Sequence, residues 1–263
     1  MQLLQLVWDA DPRIFPGLFE NIGIEPRWYG VLFAVSFLLG FQIIKKALKR
    51  EDRPEDWADS LLIYVMIGTI LGARMGHVLF YDFAYYSQNP GEILQIWRGG
   101  LASHGAAIGN ILALWVWSKR VSKQSVLWSL DRVVIPVALA GSFIRLGNFI
   151  NSEIIGSPTS VPWAVIFAQV DDIPRHPTQL YESMAYLLIF ALLYVSFFKF
   201  NKGSKQGFLF GVFLALVFGF RFLIEFIKDV QKDFESDMVL NMGQWLSILP
   251  VIAGIYFIVK SRK

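Results

Sequence analysis

Cysteine is absent from all 263 residues. No disulfide staples the fold, and no intermediate is carried on a thiol of the chain itself. A reaction that needs a sulfur nucleophile must therefore receive it with a substrate. Charge is scarce as well, at 17% of residues, and a net charge of +3 marks no nucleic-acid surface. The three histidines, His77, His104 and His176, stand apart and lack a carboxylate cluster at ligand spacing, so neither a metal nor another cofactor is expected. Residues 1–12 lack the basic start and sustained apolar core of a cleavable signal peptide, which leaves insertion to the first long apolar run.

Apolar residues dominate instead, at 55% of the chain with 16% aromatic, and the mean hydropathy is +0.48. That composition describes an integral membrane protein, with aromatic rings available as anchors at the headgroup boundary. Crossing a bilayer takes about 20 helical residues. Seven runs qualify: 28–44, 57–80, 101–117, 133–150, 180–200, 207–227 and 245–259. Orientation follows from the basic residues in the connections, which cytoplasmic loops retain. Lys45, Lys46, Lys49, Arg50 and Arg53 follow the first run, Lys119, Arg120, Lys123 and Arg132 the third, and Lys199, Lys202 and Lys205 the fifth. The opposite side carries fewer, Arg13, Arg27, Arg98, Arg175, Lys228 and Lys232. The expected fold is all-α, a polytopic membrane protein with about seven transmembrane helices, N-terminus outside and C-terminus inside. Residues 1–263 form one catalytic domain, and the long proline-bearing stretch 151–178 is an extracytoplasmic arm or lid. Trp163, Val165, Ile166 and Phe167 suggest that this stretch lies against the membrane interface.

Each charged group inside a run then acquires a depth. Arg74 and His77 fall near the outer end of the second run, His104 at the outer start of the third, Arg145 at the outer end of the fourth, and Arg221 and Glu225 in the outer part of the sixth. A bilayer tolerates such groups only where they pair or line a wet cavity, so their common depth points to a polar cavity opening outward. Simpler readings stand beside this one. Arg74 can snorkel or bond a neighbouring carbonyl, His77 can be a packed histidine, and Arg221 with Glu225 can be an i,i+4 ion pair. Gly68, Gly72 and Gly76, with Gly105 and Gly109, read as close helix packing. Residues 176–182 read as a helix start capped by Thr178, with Tyr181 and Glu182 supporting the site.

The planar fork of arginine grips phosphate and stays protonated in a poorly hydrated site, so arginines at this depth suit a phospholipid headgroup. Arg145, Gly147, Asn148, Phe149, Asn151, Glu153 and Gly156 form a pattern that resembles the signature of the bacterial prolipoprotein diacylglyceryl transferase family. Similar blocks recur in order along nearly the whole chain. They are Trp28, Tyr29 and Gly30; Gly99 and Gly100 with Ser103, His104 and Gly105; residues 176–182; Arg221 with Glu225; and Gly243 with Gln244. Two departures are Val217, where a tyrosine is common, and the run Lys228, Asp229, Val230, Gln231, Lys232 after the sixth span.

The resemblance implies an enzyme of the bacterial inner membrane, with its site toward the periplasmic leaflet. Its partners are membrane lipids, phosphatidylglycerol among them, and the signal peptide of a prolipoprotein bearing a lipobox cysteine. It implies transfer of the diacylglyceryl group to that thiol, with release of glycerol 1-phosphate. Arg145 and Arg221 then stabilise the phosphate as its charge grows, positioned by Asn148, Glu153 and Glu225 with Asn151 in support. His104 is the candidate base for the thiol, or alternatively a headgroup ligand. Tyr29 bonds the headgroup or a lipid ester, and Gly156 lets backbone approach closely. A transporter would call for an internal repeat, which is not detected, whereas a phospholipase using the same arginines with water stays open.

Overall fold

A computed structural model describes residues 6–17, 25–229 and 238–261. Val230, Gln231 and Lys232 of the divergent run lie outside these, as do residues 1–5. Eight α-helices are described: α1 Trp28–Arg50, α2 Trp57–Phe80, α3 Phe83–Gln88, α4 Ser103–Trp117, α5 Val126–Ile150, α6 Thr178–Phe198, α7 Phe208–Ile224 and α8 Met242–Lys260. Six are long and apolar enough to cross a membrane, namely α1, α2, α5, α6, α8 and α7 with its continuation to Ile227. The chain is therefore a multi-pass membrane protein. The run at 101–117 yields the 15-residue α4, shorter than a full crossing, and a π-helical turn over Ser118–Ser122 follows it.

The fold is mostly helical but not all-α. Three short strands, β1 Leu6–Trp8, β2 Val165–Phe167 and β3 Pro174–Arg175, form one sheet. β1 runs parallel to β2, with Leu6 opposite Val165, and β2 pairs antiparallel with β3. Val165 and Phe167 are buried in a small core with Phe149, against which Trp8, Ile155 and Leu180 pack. The rings of Trp8 and Phe149 lie 4.5 Å apart. These apolar residues of the 151–178 stretch thus bury against protein, while Trp163 is exposed. Burial of one strand face explains why they read as interfacial from composition alone.

Two compact units make up the chain, one of residues 1–40 and 131–263, the other of 41–130. In the 41–130 unit, α2 and α4 cross at the glycines read as packing residues. A Cβ on Gly105 would strike the Gly72 carbonyl and the Gly76 backbone, and one on Gly109 would strike Gly68 and Gly72. Lipid supplies no hydrophobic drive between helices, so contact of bare backbones is what holds such a pair. Farther along, Trp117 is fully buried and donates from Nε1 to Ser60 Oγ, and Trp57 stacks edge-on to Trp117 and Trp128.

In the other unit, α7 packs on α6 and α8. Gly211 and Gly254 bring α7 and α8 together, since a Cβ on either would meet the backbone of the opposite helix. Asp131 is fully buried and accepts from the backbone nitrogens of Gly207 and Phe210, satisfying two of the free donors at the start of α7.

Gly105→Val should lower the unfolding temperature in detergent, at a cost of about 1–3 kcal/mol for the forced separation of α2 and α4. Gly91→Ala, at a position where an added Cβ meets nothing, should leave it unchanged. Equal unfolding temperatures for the two variants in differential scanning fluorimetry would refute the close crossing.

Candidate functional site

The last turn of α5 and the loop that follows bring five of the expected residues together. α5 ends at Ile150, and the left-handed conformation of Ser152 (φ 53°) turns the chain so that the Glu153 backbone nitrogen donates to the Asn148 carbonyl. Arg145 Nη1 donates to Asn148 Oδ1 at 3.3 Å, Asn148 Nδ2 to Glu153 Oε2 at 3.2 Å, and Asn151 Nδ2 to Glu153 Oε1 at 3.1 Å. Glu153 is exposed and is linked by hydrogen bonds to Arg145 through Asn148. The ring of Tyr29 packs on Gly147, where an added Cβ would come within 2.7 Å of it.

Ile154 also adopts a left-handed backbone (φ 56°), a conformation that a β-branched side chain strongly resists. Its neighbours hold it there. Thr178 Oγ1 donates to the Ile154 carbonyl and Gln179 Nε2 to the Glu153 carbonyl, at 3.1 and 2.7 Å, and both side chains are fully buried. Thr178 therefore clamps the loop and does not cap α6, whose cap position is Pro177. Gly156 donates to the His176 carbonyl and leaves no room for a Cβ against His176 and Thr178, so the backbone it admits is that of residues 176–178.

The centre of the cluster is Glu182, in the first turns of α6 and fully buried. Arg145 Nε lies 3.1 Å from Glu182 Oε2, and Lys228 Nζ lies 3.2 Å from Glu182 Oε1. Tyr186 donates its hydroxyl to the same carboxylate at 3.3 Å. Lys228 Nζ also lies 2.9 Å from Glu225 Oε1, and Arg221 Nε lies 3.8 Å from that oxygen. Arg145 and Arg221 are thereby joined in one chain of ion pairs. Asn241 Nδ2 donates to Glu225 Oε2 at 3.1 Å, and the carboxylate rests on Gly243, which has no side chain to collide with it. Asn241 and Gln244 form a capping box that starts α8. Arg221 is about one-third exposed, and its Nε finds no hydrogen-bond acceptor among the described residues.

Sequence reasoning missed the central part. Local pattern gives Glu182 only a supporting place and Lys228 a place among the loop cations. The available signal is spacing, since Lys228 lies three residues after Glu225, just past the turn that continues α7 to Ile227.

The 151–178 stretch is tied to the end of α7. Ser157 N donates to the Ile227 carbonyl and Asp229 N to the Ile155 carbonyl, at 2.9 and 3.2 Å. Arg175 pairs with Asp171 at 2.5 Å and Asp229 at 2.7 Å. Hydrogen bonds and charge from Arg175 hold the Asp171 carboxyl below the usual aspartate range. Trp163 Nε1 donates to the Tyr181 hydroxyl at 2.7 Å, so Tyr181 supports this stretch.

In the 41–130 unit, every guanidinium nitrogen of Arg74 donates to a backbone carbonyl. Nε reaches Ile93, Nη1 Gly99 and Gly100, and Nη2 Glu92, between 2.7 and 3.1 Å. Gly99 and Gly100 take positive φ values of 86° and 71°, which turn those carbonyls toward it. The carbonyl-bonding reading of Arg74 therefore holds. His77 pairs with Asp82 at 2.9 Å and stacks on Tyr81. His104 is exposed, with its ring 5.5 Å from Phe80 and 5.6 Å from Tyr81.

Residues 16–260 match a family model described as prolipoprotein diacylglyceryl transferase. A protein of Tolumonas auensis named phosphatidylglycerol-prolipoprotein diacylglyceryl transferase is 48% identical over 258 residues, covering 98% of both chains. Proteins of the same name from Chloroherpeton thalassium and Porphyromonas gingivalis are 47% and 45% identical, each covering 98% of this chain and 95% of its own.

The pairing of Asp171 with Arg175 should stabilise the fold fully above the ordinary aspartate pKa, where the unfolded carboxyl is already ionised. That contribution should vanish as pH falls through the depressed folded value. Unfolding temperatures of the wild type and Asp171→Asn, followed into acid, should differ near neutrality and converge at low pH. A constant offset would contradict the assignment.

Proposed function

The chain belongs to the prolipoprotein diacylglyceryl transferase family, and we propose that the charge cluster around Arg145 is where its lipid substrate reacts. The protein is a transferase that moves the diacylglyceryl group of phosphatidylglycerol to a prolipoprotein, the first step of lipoprotein maturation. The acceptor is the thiol of the lipobox cysteine, in keeping with a chain that has none of its own.

Sulfur attacks the glycerol carbon and forms a thioether. The carbon to oxygen bond breaks, and its electron pair leaves on the phosphate oxygen of glycerol 1-phosphate. A phosphodiester with one negative charge becomes a monoester that tends toward two, so cations fixed around it favour the transition state over the bound lipid. Arg145 and Arg221 supply them. The observation that carries this reading is the ion-pair chain that joins these two arginines, with an unsatisfied nitrogen on Arg221.

Asn148, Glu153 and Asn151 hold Arg145 in orientation, Glu225 orients Arg221, Tyr29 lines the lipid site, and Gly156 lets the backbone of residues 176–178 approach closely beside it. His104, in the 41–130 unit, takes the thiol proton, a role that rests on the sequence. Residues 1–263 act as one catalytic domain with seven crossings, the seventh being α4 lengthened by the π-helical turn to Ser122, N-terminus outside and C-terminus inside, in the bacterial inner membrane with the site on the periplasmic side. Residues 151–178 form an extracytoplasmic arm. Their ties to Ile227 and Asp229 favour a fixed arm over a hinged lid.

Mass spectrometry of a lipobox peptide incubated with the protein and phosphatidylglycerol tests this reading. A cysteine peptide should gain the diacylglyceryl mass and its serine counterpart should not. Arg145→Ala and Arg221→Ala should each lose about a hundredfold or more of the rate, and His104→Ala should lose most of it. Wild-type rates in both arginine variants would overturn the site, and lipid breakdown without peptide would favour a hydrolase.

A further inference from the structure

Lys228 is a cation placed where few are tolerated. Its side chain is 2% exposed, and its ammonium touches two carboxylates, Glu182 and Glu225. Its position is fixed by backbone: Gly156 and Lys228 form a bridge, flanked by the Ser157 to Ile227 and Asp229 to Ile155 hydrogen bonds. The fold thus drives the lysine stem inward against a desolvation cost that a surface lysine would avoid.

Counting the charges in the ion-pair chain gives a reason. Among the described residues, Arg145, Lys228 and the partly exposed Arg221 face Glu182 and Glu225, three cations against two carboxylates. Glu153 is exposed, and its charge falls on Asn148 and Asn151 under solvent screening. Among the described residues the ion-pair chain therefore keeps a surplus of one positive charge, which matches the single negative charge of a phosphodiester. Without Lys228 each arginine would be matched by its own carboxylate, and an incoming phosphate would compete with that carboxylate for the guanidinium.

We propose that Lys228 is a positioning residue for the transfer, holding Glu182 and Glu225 so that Arg145 and Arg221 stay available to the lipid phosphate. This deepens the reading given under Proposed function and rests on it. Lys228 does not touch the reacting atoms. It acts through the two carboxylates, so its effect falls chiefly on lipid binding.

The test compares Lys228→Met with the double variant Lys228→Met, Glu182→Gln, using vesicles that contain phosphatidylglycerol and a synthetic lipobox peptide. The single variant removes the surplus and should raise KM for the lipid about tenfold or more, with a smaller change in kcat. The double variant restores two cations against one carboxylate and should bring KM back to within about threefold of wild type. A purely structural role would lower the unfolding temperature in both variants and give no recovery of KM. Wild-type KM in Lys228→Met, or a double variant as impaired as the single one, overturns the proposal. If Lys228→Met does not fold, the double variant alone decides, with KM near wild type in support and a tenfold rise against. Activity retained in Arg145→Ala and Arg221→Ala would instead sink the underlying reading, whatever Lys228 does.

Discussion

A buried carboxylate that cannot be left alone organises this site. Glu182 is fully inaccessible, and an ionised group so placed is stable only when cations and donors surround it. Arg145 and Lys228 pair with it and Tyr186 donates to it from three directions: the end of α5, the chain beyond α7 and the next turn of α6. Each of these segments is thereby fixed relative to the others. The loop after α5, the hydrogen-bonded ties to Ile227 and Asp229, and the start of α8 at Asn241 all build outward from that carboxylate.

Two arginines near span ends show how one residue type meets the same constraint differently. Arg74 is satisfied by neutral backbone carbonyls, which use all of its nitrogens and order the 92–100 segment around it. Arg145 pairs with a carboxylate and donates to a carboxamide. The first arrangement leaves nothing to offer a ligand and serves the fold. The second embeds the cation in a network with a surplus of positive charge, next to a loop whose strained Ile154 backbone is held by Thr178 and Gln179. Strain retained at such a loop accords with a site that needs a fixed geometry.

Apolar runs were legible because length and composition alone mark a helix that can cross a bilayer, and the glycines at 68, 72, 76, 105 and 109 declared a tight crossing by their spacing. Arg145, Asn148, Asn151, Glu153 and Gly156 were legible because polar residues directly after an apolar run demand an explanation. Glu182 and Lys228 were less so. The spacing of Lys228 from Glu225 is local, but its contact with Glu182 spans 46 residues of sequence, which no local pattern encodes. The strands were missed for a similar reason: three residues at 6–8 carry no periodicity, and their pairing with 165–167 is set by a core that exists only in three dimensions. Thr178 reads as a cap because a threonine at a helix start usually serves as one, whereas here it is the first helical residue and a remote carbonyl takes its hydroxyl.

The parallel pairing of Leu6–Trp8 with Val165–Phe167 constrains the order in which the molecule is made. The first strand to leave the ribosome has no edge to join until more than half of the chain has been synthesised and several hydrophobic segments have entered the bilayer. Sheet closure is consequently a late, long-range event in biogenesis, and the amino-terminal segment must stay uncommitted while it waits.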